Sequence, residues 1–328
     1  MRALVTGGAG FIGHHLVNGL VDAGWDVAVV DDLATGRVDR LAGVGQRVEV
    51  AIGDIRDPAV LDPMMRGRDV VFHEAAIPSV GRSVVDPRRT SGANIDGTIE
   101  VMLAASRAGV RRVIAAGSSS VYGESPELPR RETQRPDPRS PYAASKLAAE
   151  HFVHALGRLH GIETVVLRYF NVYGPNQDPD SAYAAVVPRF ITAALRGASP
   201  VVTGDGHQTR DFTYVDDVVA ANLLAAAAAD VSGLTCNIGG GGRFSLLELL
   251  DLVSDAVGRP IQPTFAAPRP ADVPHSQADI SLARDRLGFS PSVDFAEGIR
   301  RTVAWYRERE AGSRPDDADP AGAGLAVG

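Results

Sequence analysis

LVTGGAGFIG, residues 4–13, is the stretch on which the fold turns. Gly7, Gly10 and Gly13 recur at three-residue spacing, directly after the β-branched run Arg2–Thr6 and at the head of a helical pattern, Phe11–Ala23. Glycines there permit a tight turn and let backbone approach a pyrophosphate, which a helix N-terminus favours electrostatically. A second strand pattern ends in Asp31, about twenty residues on, the position expected for a ribose-binding acid. That carboxylate can accept hydrogen bonds from adenosine ribose hydroxyls and would repel a 2′-phosphate, and the next residue is Asp32, not arginine. NAD is therefore expected over NADP. Asp54, in GDIRD, is placed to meet the adenine edge or to serve as a turn residue.

Working outward, strand patterns fall at Arg2–Thr6, Asp26–Asp31, Arg47–Ile52, Asp69–His73, Arg112–Ala116 and Thr164–Arg168, with helical lengths such as Asn94–Ala108 between most of them. Such alternation predicts an α/β fold: a Rossmann-like, doubly wound parallel sheet with helices on both faces. Beyond Tyr173 the pattern changes to loops and mixed elements. Leu234–Ile238 reads as a strand, and Ser245-Leu-Leu-Glu248 as a capping box. Glycines 239–242 read as the loop between them, since no Lys-Ser or Lys-Thr pair follows as a triphosphate loop would need. The expected organisation is a dinucleotide domain over 1–173, a smaller substrate domain over 174–310 with segments returning to the first, and a disordered tail over 311–328, rich in small residues, Pro and Asp.

Composition excludes several classes. With 45% hydrophobic and 22% charged residues the 328-residue chain is ordinary globular material, and a net charge of −7 argues against nucleic acid as partner. Cys236 is the single cysteine, which excludes an internal disulfide and suggests a reducing compartment. No apolar run is long enough to span a membrane, and no signal-peptide core precedes the glycines, so a cytoplasmic protein is expected. His151 and His154 stand one turn apart, but no carboxylate or cysteine completes a ligand set, so no metal is expected.

The chemistry gathers around SPYAASKLAAE, residues 140–150. Ser140 suits the N-cap and Pro141 the first helical position, which leaves Tyr142 and Lys146 one turn apart on one face. Upstream, AAGSSSVYG puts Ser118, Ser119 and Ser120 after a strand, at the sheet edge where open α/β folds bind ligands. A serine hydroxyl, a tyrosine and a lysine beside NAD form an acid/base relay for oxidising an alcohol. Tyrosine's reference pKa near 10 leaves on the order of one phenolate in a thousand at pH 7, and a drop of about three units needs roughly 4 kcal/mol. One cation some 4 Å away, at an effective dielectric near 20, supplies about that much, so Lys146 is expected to lower the Tyr142 phenol.

TGGAGFIG, SSSVYG, YxxxK and LRYFNVYGP together resemble the extended short-chain dehydrogenase/reductase family, from Met1 to about Tyr306, and within it the NAD-dependent nucleotide-sugar 4-epimerases. The resemblance implies a homodimer, built through a helix bundle that includes the YxxxK helix, and a UDP-sugar substrate. Carried over by position, Ser118 would hydrogen-bond the sugar 4-hydroxyl, Tyr142 would be the base, and Lys146 its electrostatic partner and a ribose anchor. It also implies cofactor contacts from Phe11, Ile12, Ile55, Ala75, Ala76, Asn94, Tyr169 and Phe170. Substrate contacts are implied for Ser79, Ser119, Ser120, Asn171, Ala185, Val186 and Arg189, and for Arg210, Arg269 and Asp272 at the diphosphate and uridine ribose.

Within the family, related dehydratases carry an Asp-Glu pair where this chain has Ser119 and Ser120, and related decarboxylases carry a glutamate at Ser120. The oxidise–rotate–reduce cycle of a 4-epimerase is therefore expected. Ser276 matches a gatekeeper position, and its small side chain leaves room for a 2-acetamido group, so UDP-GlcNAc/UDP-GalNAc are expected alongside UDP-Glc/UDP-Gal. UDP-glucuronate is the alternative, with the serines and Arg189 receiving its carboxylate. A one-way nucleotide-sugar dehydrogenase or reductase and a non-catalytic NAD sensor are more distant ones.

Overall fold

The computed structural model describes residues 1–179, 184–267 and 273–312. Six runs from the first half form strands β1 (Arg2–Thr6), β2 (Asp26–Asp31), β3 (Val48–Ile52), β4 (Val70–His73), β5 (Arg112–Ser118) and β6 (Glu163–Tyr169). With Leu234–Ile238 they make one seven-stranded sheet in the order Leu234–Ile238, β6, β5, β4, β1, β2, β3, every pairing parallel. Runs such as VVFH in β4 are apolar on both faces because helices cover both. Leu16, Val17, Val218 and Ala221 close one face, and Val101, Met102, Ala105 and Val153 the other. The order reverses between β1 and β4, which opens a crevice at the carboxyl ends of the strands.

Three local departures from the sequence pattern bear on the site. The first helix ends at Asp22, one residue short of the expected Ala23. The expected helix Asn94–Ala108 is an α-helix only over Gly97–Ala108, with a π-helical turn, Gly92–Asp96, before it. That widened turn holds Asn94, whose side chain reaches Ile77 and Ser145. Strand β5 runs two residues past the expected Ala116, because Gly117 and Ser118 pair with Arg168 and Tyr169 of β6.

A further apolar cluster lies beyond Tyr173, between the helices Val186–Leu195, Leu246–Val257 and Phe295–Gly312, with Phe212 and Phe295 stacked at 4.7 Å at its centre. The Ser245–Glu248 capping box forms in full. The glycines at 239–242 answer to packing: a Cβ on Gly240 would stand 2.3 Å from the Phe212 carbonyl, and Asp211 accepts the Gly240 N–H at 2.7 Å. The expected tail lies outside the described residues except for Ala311 and Gly312, which end the last helix. Among the described residues no helix is long and apolar enough to cross a membrane.

Candidate active site

The crevice is a cavity of about 630 Å³ that runs from Asp31, Asp32 and Asp54 past Gly7, Gly10, Phe11, Ile12 and Gly13 to Ser118, Ser119, Ser120, Tyr142, Tyr169 and Asn171. Ile55, Ala75, Ala76, Ser79 and Ala185 also line it. The glycine turn is sterically required. Gly7 sits at φ +71, and a Cβ on Gly13 would fall 2.1 Å from the Gly7 carbonyl oxygen. The helix Phe11–Asp22 begins without a side-chain cap, which leaves its first N–H groups for an anion. These features fit a dinucleotide pyrophosphate.

At the far end of that crevice Asp31 is buried, and its two oxygens accept the Ala9 and Leu33 N–H groups at 2.9 and 2.8 Å. The carboxylate thus fixes the glycine turn while keeping lone pairs toward the cavity. Asp54 holds its own turn through the Arg56 N–H and pairs with the Arg56 guanidinium, which keeps its carboxyl below the usual range.

At the other end Ser118 closes β5 and caps the following 3₁₀ turn, Ser119–Tyr122. Its hydroxyl lies 2.8 Å from that of Ser120 and is the polar side chain that draws the Tyr142 phenol down. Tyr142 is set by the helix Pro141–His160, where Ser140 Oγ accepts the Ala143 N–H as the N-cap. The expected lowering of the phenol is not found: burial pushes Tyr142 up, and only the Ser118 hydrogen bond pulls it down. The physical reason is that Lys146 is itself buried behind the cavity wall, where desolvation pushes it down to about 8 and Glu74 and Glu150 draw on its charge. Lys146 is also the only lysine among 33 basic side chains. A guanidinium cannot titrate or fit as a point charge, so a chain that uses arginine everywhere else places its one ammonium here.

Several expected contacts lie elsewhere. Asn94 is buried off the cavity and clamps the Ile77 backbone to Ser145 of the Pro141–His160 helix. Phe170 packs against Val121, Tyr122, Ala278 and Ile280 instead of facing the cavity. Val186 and Arg189 sit on the helix that Ala185 begins, and neither lines the cavity. Arg210 donates to the Thr209 and Pro274 carbonyls, and the Ser276 N–H bonds Thr209, so these two lie near each other but outside the cavity wall. Arg269 and Asp272 lie outside the described residues. His154 engages Thr164 and Thr235 through its two ring nitrogens.

Of the wall residues the sequence reading did not single out, Glu74 bears most on the chemistry. Glu74, immediately after β4, lines the cavity and accepts a 2.7 Å hydrogen bond from Tyr169 Oη. Burial pushes its carboxyl up to about 7, against the pull of Tyr169 and Lys146. Its signal was a charged residue directly behind VVFH, at the edge where ligands bind.

Comparison with known proteins gives concordant results. Residues 3–239 match the model of the NAD dependent epimerase/dehydratase family. The chain is 41% identical over 313 residues to a UDP-glucose 4-epimerase of Mycolicibacterium smegmatis, covering 94% of this chain and 99% of that one. A UDP-N-acetylglucosamine 4-epimerase from Methanobrevibacter ruminantium, solved with UDP-N-acetylmuramic acid, superposes with a TM-score of 0.90 at 39% identity, over 94% and 98% of the two chains. A UDP-glucose 4-epimerase from Thermotoga maritima, solved with UDP-glucose, gives 0.90 at 37% identity, over 94% and 100%.

Proposed function

The chain belongs to the NAD-dependent epimerase/dehydratase family of extended short-chain dehydrogenases/reductases, and from that premise we propose that it is a 4-epimerase of UDP-hexoses, UDP-Glc/UDP-Gal and UDP-GlcNAc/UDP-GalNAc. The observation that carries this reading is the grouping of Ser118, Ser119, Ser120 and Tyr142 in one cavity wall at the β5 edge, with the Ser118 and Ser120 hydroxyls 2.8 Å apart. Dehydratases and decarboxylases occur among the relatives, and an elimination needs an acid that these serines do not supply. Glu74, a carboxyl group in the same wall, is engaged by Tyr169.

The glycine turn and Asp31 would hold NAD, which when bound would supply the hydride acceptor and donor for C4 of the sugar. Ser118 holds the 4-hydroxyl and donates to the Tyr142 oxygen, which favours the phenolate. Tyr142 takes the hydroxyl proton. Lys146, charged below about pH 8, offsets the negative charge that burial disfavours. In this reading Arg210 is the diphosphate contact, reached by the substrate beyond the cavity wall, and Ser276 beside it leaves room for a 2-acetamido group, so that the 4-keto sugar would turn about its diphosphate linkage and present its other face. The protein works as a homodimer, with residues 1–173 carrying the cofactor and most of 174–310 the UDP-sugar.

The test is incubation of the purified protein with UDP-Glc, UDP-GlcNAc and UDP-GlcA separately, without added NAD, followed by anion-exchange chromatography and NMR. Epimers of the first two are expected. Turnover of UDP-GlcA alone would replace the substrate assignment, and three unchanged sugars after NAD is supplied would end the epimerase reading.

A further inference from the structure

Glu74 stands at the carboxyl end of β4, in the same cavity wall as Ser118 and Tyr142. Its orientation is fixed from behind. Asn222 Nδ2 donates to Tyr169 Oη at 2.9 Å and to the Val218 carbonyl at 2.9 Å. The phenol of Tyr169 therefore spends its one proton on Glu74 Oε1. Oε2 has no hydrogen bond among the described residues. The titratable groups around Glu74 are Lys146 and Tyr142 on the Pro141–His160 helix, Tyr169 on β6, His73 beside it on β4, and Cys236 behind Tyr169. His73 is neutral, since its ring nitrogens bond Thr6 and Thr98 and burial pushes it down to about 3. Lys146 is thus the cation facing this carboxylate, and nothing in Tyr142's hydroxyl chemistry requires Glu74.

A carboxylate in the wall that also carries Ser118 and Tyr142, with only one oxygen bonded among the described residues, would meet a group that changes charge during the reaction, since the nicotinamide is cationic when oxidised and neutral when reduced. We propose that Glu74 biases the cavity toward the oxidised cofactor, so that the resting enzyme holds the form able to accept hydride. The inference rests on the reading that the Ser118–Tyr142 end receives the nicotinamide. It deepens that reading, because a cofactor left reduced after loss of the keto intermediate would stall each later turnover. A carboxyl near its midpoint at neutral pH can also take up a proton when the neighbouring positive charge disappears.

The experiment is direct binding of NAD+ and NADH to the cofactor-stripped protein, by calorimetry and nicotinamide fluorescence, for wild type and Glu74→Gln. The amide oxygen of glutamine can still accept from Tyr169, so a merely structural role leaves the ratio of the two dissociation constants alone. The expected result is a fall of at least about tenfold in Kd(NADH)/Kd(NAD+) in the variant, the effect of removing one unit charge within about 12 Å in a dielectric near 20. In wild type the same ratio should rise from pH 6 to 7.5 as Glu74 ionises, while Glu74→Gln stays flat; Lys146 remains mostly charged over that range. A ratio unchanged in the variant, or a wild-type ratio without pH dependence, overturns the proposal. The second readout needs no variant to fold. No sugar nucleotide is present, so a protein inactive on every UDP-sugar can still pass, and an active epimerase can still fail.

Discussion

Tyr142 carries the heaviest demand of any side chain, because burial opposes the phenolate that the reaction requires. Tyr142→Phe should lower kcat by about a thousandfold, the scale of a lost general base, while NAD content and thermal stability stay near wild type. Near-wild-type turnover would remove Tyr142 from its role. Lys146 predicts the pH profile. Its ammonium titrates at about 8 instead of 10.5, so the cation is present below that pH and lost above it. Activity should therefore decline on the alkaline side of about 8, as the cation that offsets the phenolate is lost. Lys146→Arg, which cannot lose its proton, should be slower overall yet lack the alkaline decline when kcat is followed from about pH 6 to 10. The serine, tyrosine and lysine were readable because one helix turn and one strand end set their spacing. Glu74 was not, since its partner Tyr169 lies 95 residues away and no local pattern joins them.

The Pro141–His160 helix must hold Tyr142 and Lys146 against the sheet, and a buried ion pair does much of this. Glu150 on the helix takes a two-pronged contact from Arg168 on β6, with oxygens and nitrogens 2.6 and 3.0 Å apart. Both side chains are almost sealed from water. Arg168 also donates to Tyr122 Oη at 2.8 Å, and Tyr122 donates to Asn237. Removing one partner leaves the other charge buried, which costs about 3–5 kcal/mol, so Glu150→Leu should lower the urea midpoint sharply. Glu150→Leu combined with Arg168→Met should recover much of the loss. A single variant costing under about 1 kcal/mol would show the pair to be dispensable. The helix itself was legible from Ser140-Pro141, and the structure closes it at Gly161, φ +69. The π-helical turn before Gly97 was not, because Ile77 and Ser145, which draw Asn94 out of a regular helix, come from distant parts of the chain.

At the scale of the whole molecule the parallel sheet was legible because strands buried on both faces leave continuous apolar runs. The region beyond Tyr173 was less so, since its core is built from two- and three-residue strands and from aromatic contacts such as Phe212 on Phe295, which leave no period in the sequence. The same scale bears on association. On the Pro141–His160 helix Phe152 and Leu159, seven residues apart on one face, are 39% and 74% exposed. On the neighbouring helix Val80–Val85, Val84 and Val85 are 66% and 76% exposed. Side chains of this kind grouped on adjacent helices mark a surface that association would cover. With the Gly97–Ala108 helix alongside, two copies related by a two-fold axis would form an isologous bundle. Sedimentation equilibrium should therefore give twice the chain mass for wild type at micromolar concentration. Phe152→Glu with Val85→Glu should give a monomer that keeps its circular dichroism and its bound NAD, since neither residue lines the cavity. A wild-type protein that sediments as a monomer, or a double variant that stays dimeric, would move the interface away from this helix pair. Because the Pro141–His160 helix carries Tyr142 on its cavity side, a monomer with reduced kcat and unchanged NAD content would mean that the partner's helices help hold the base in place.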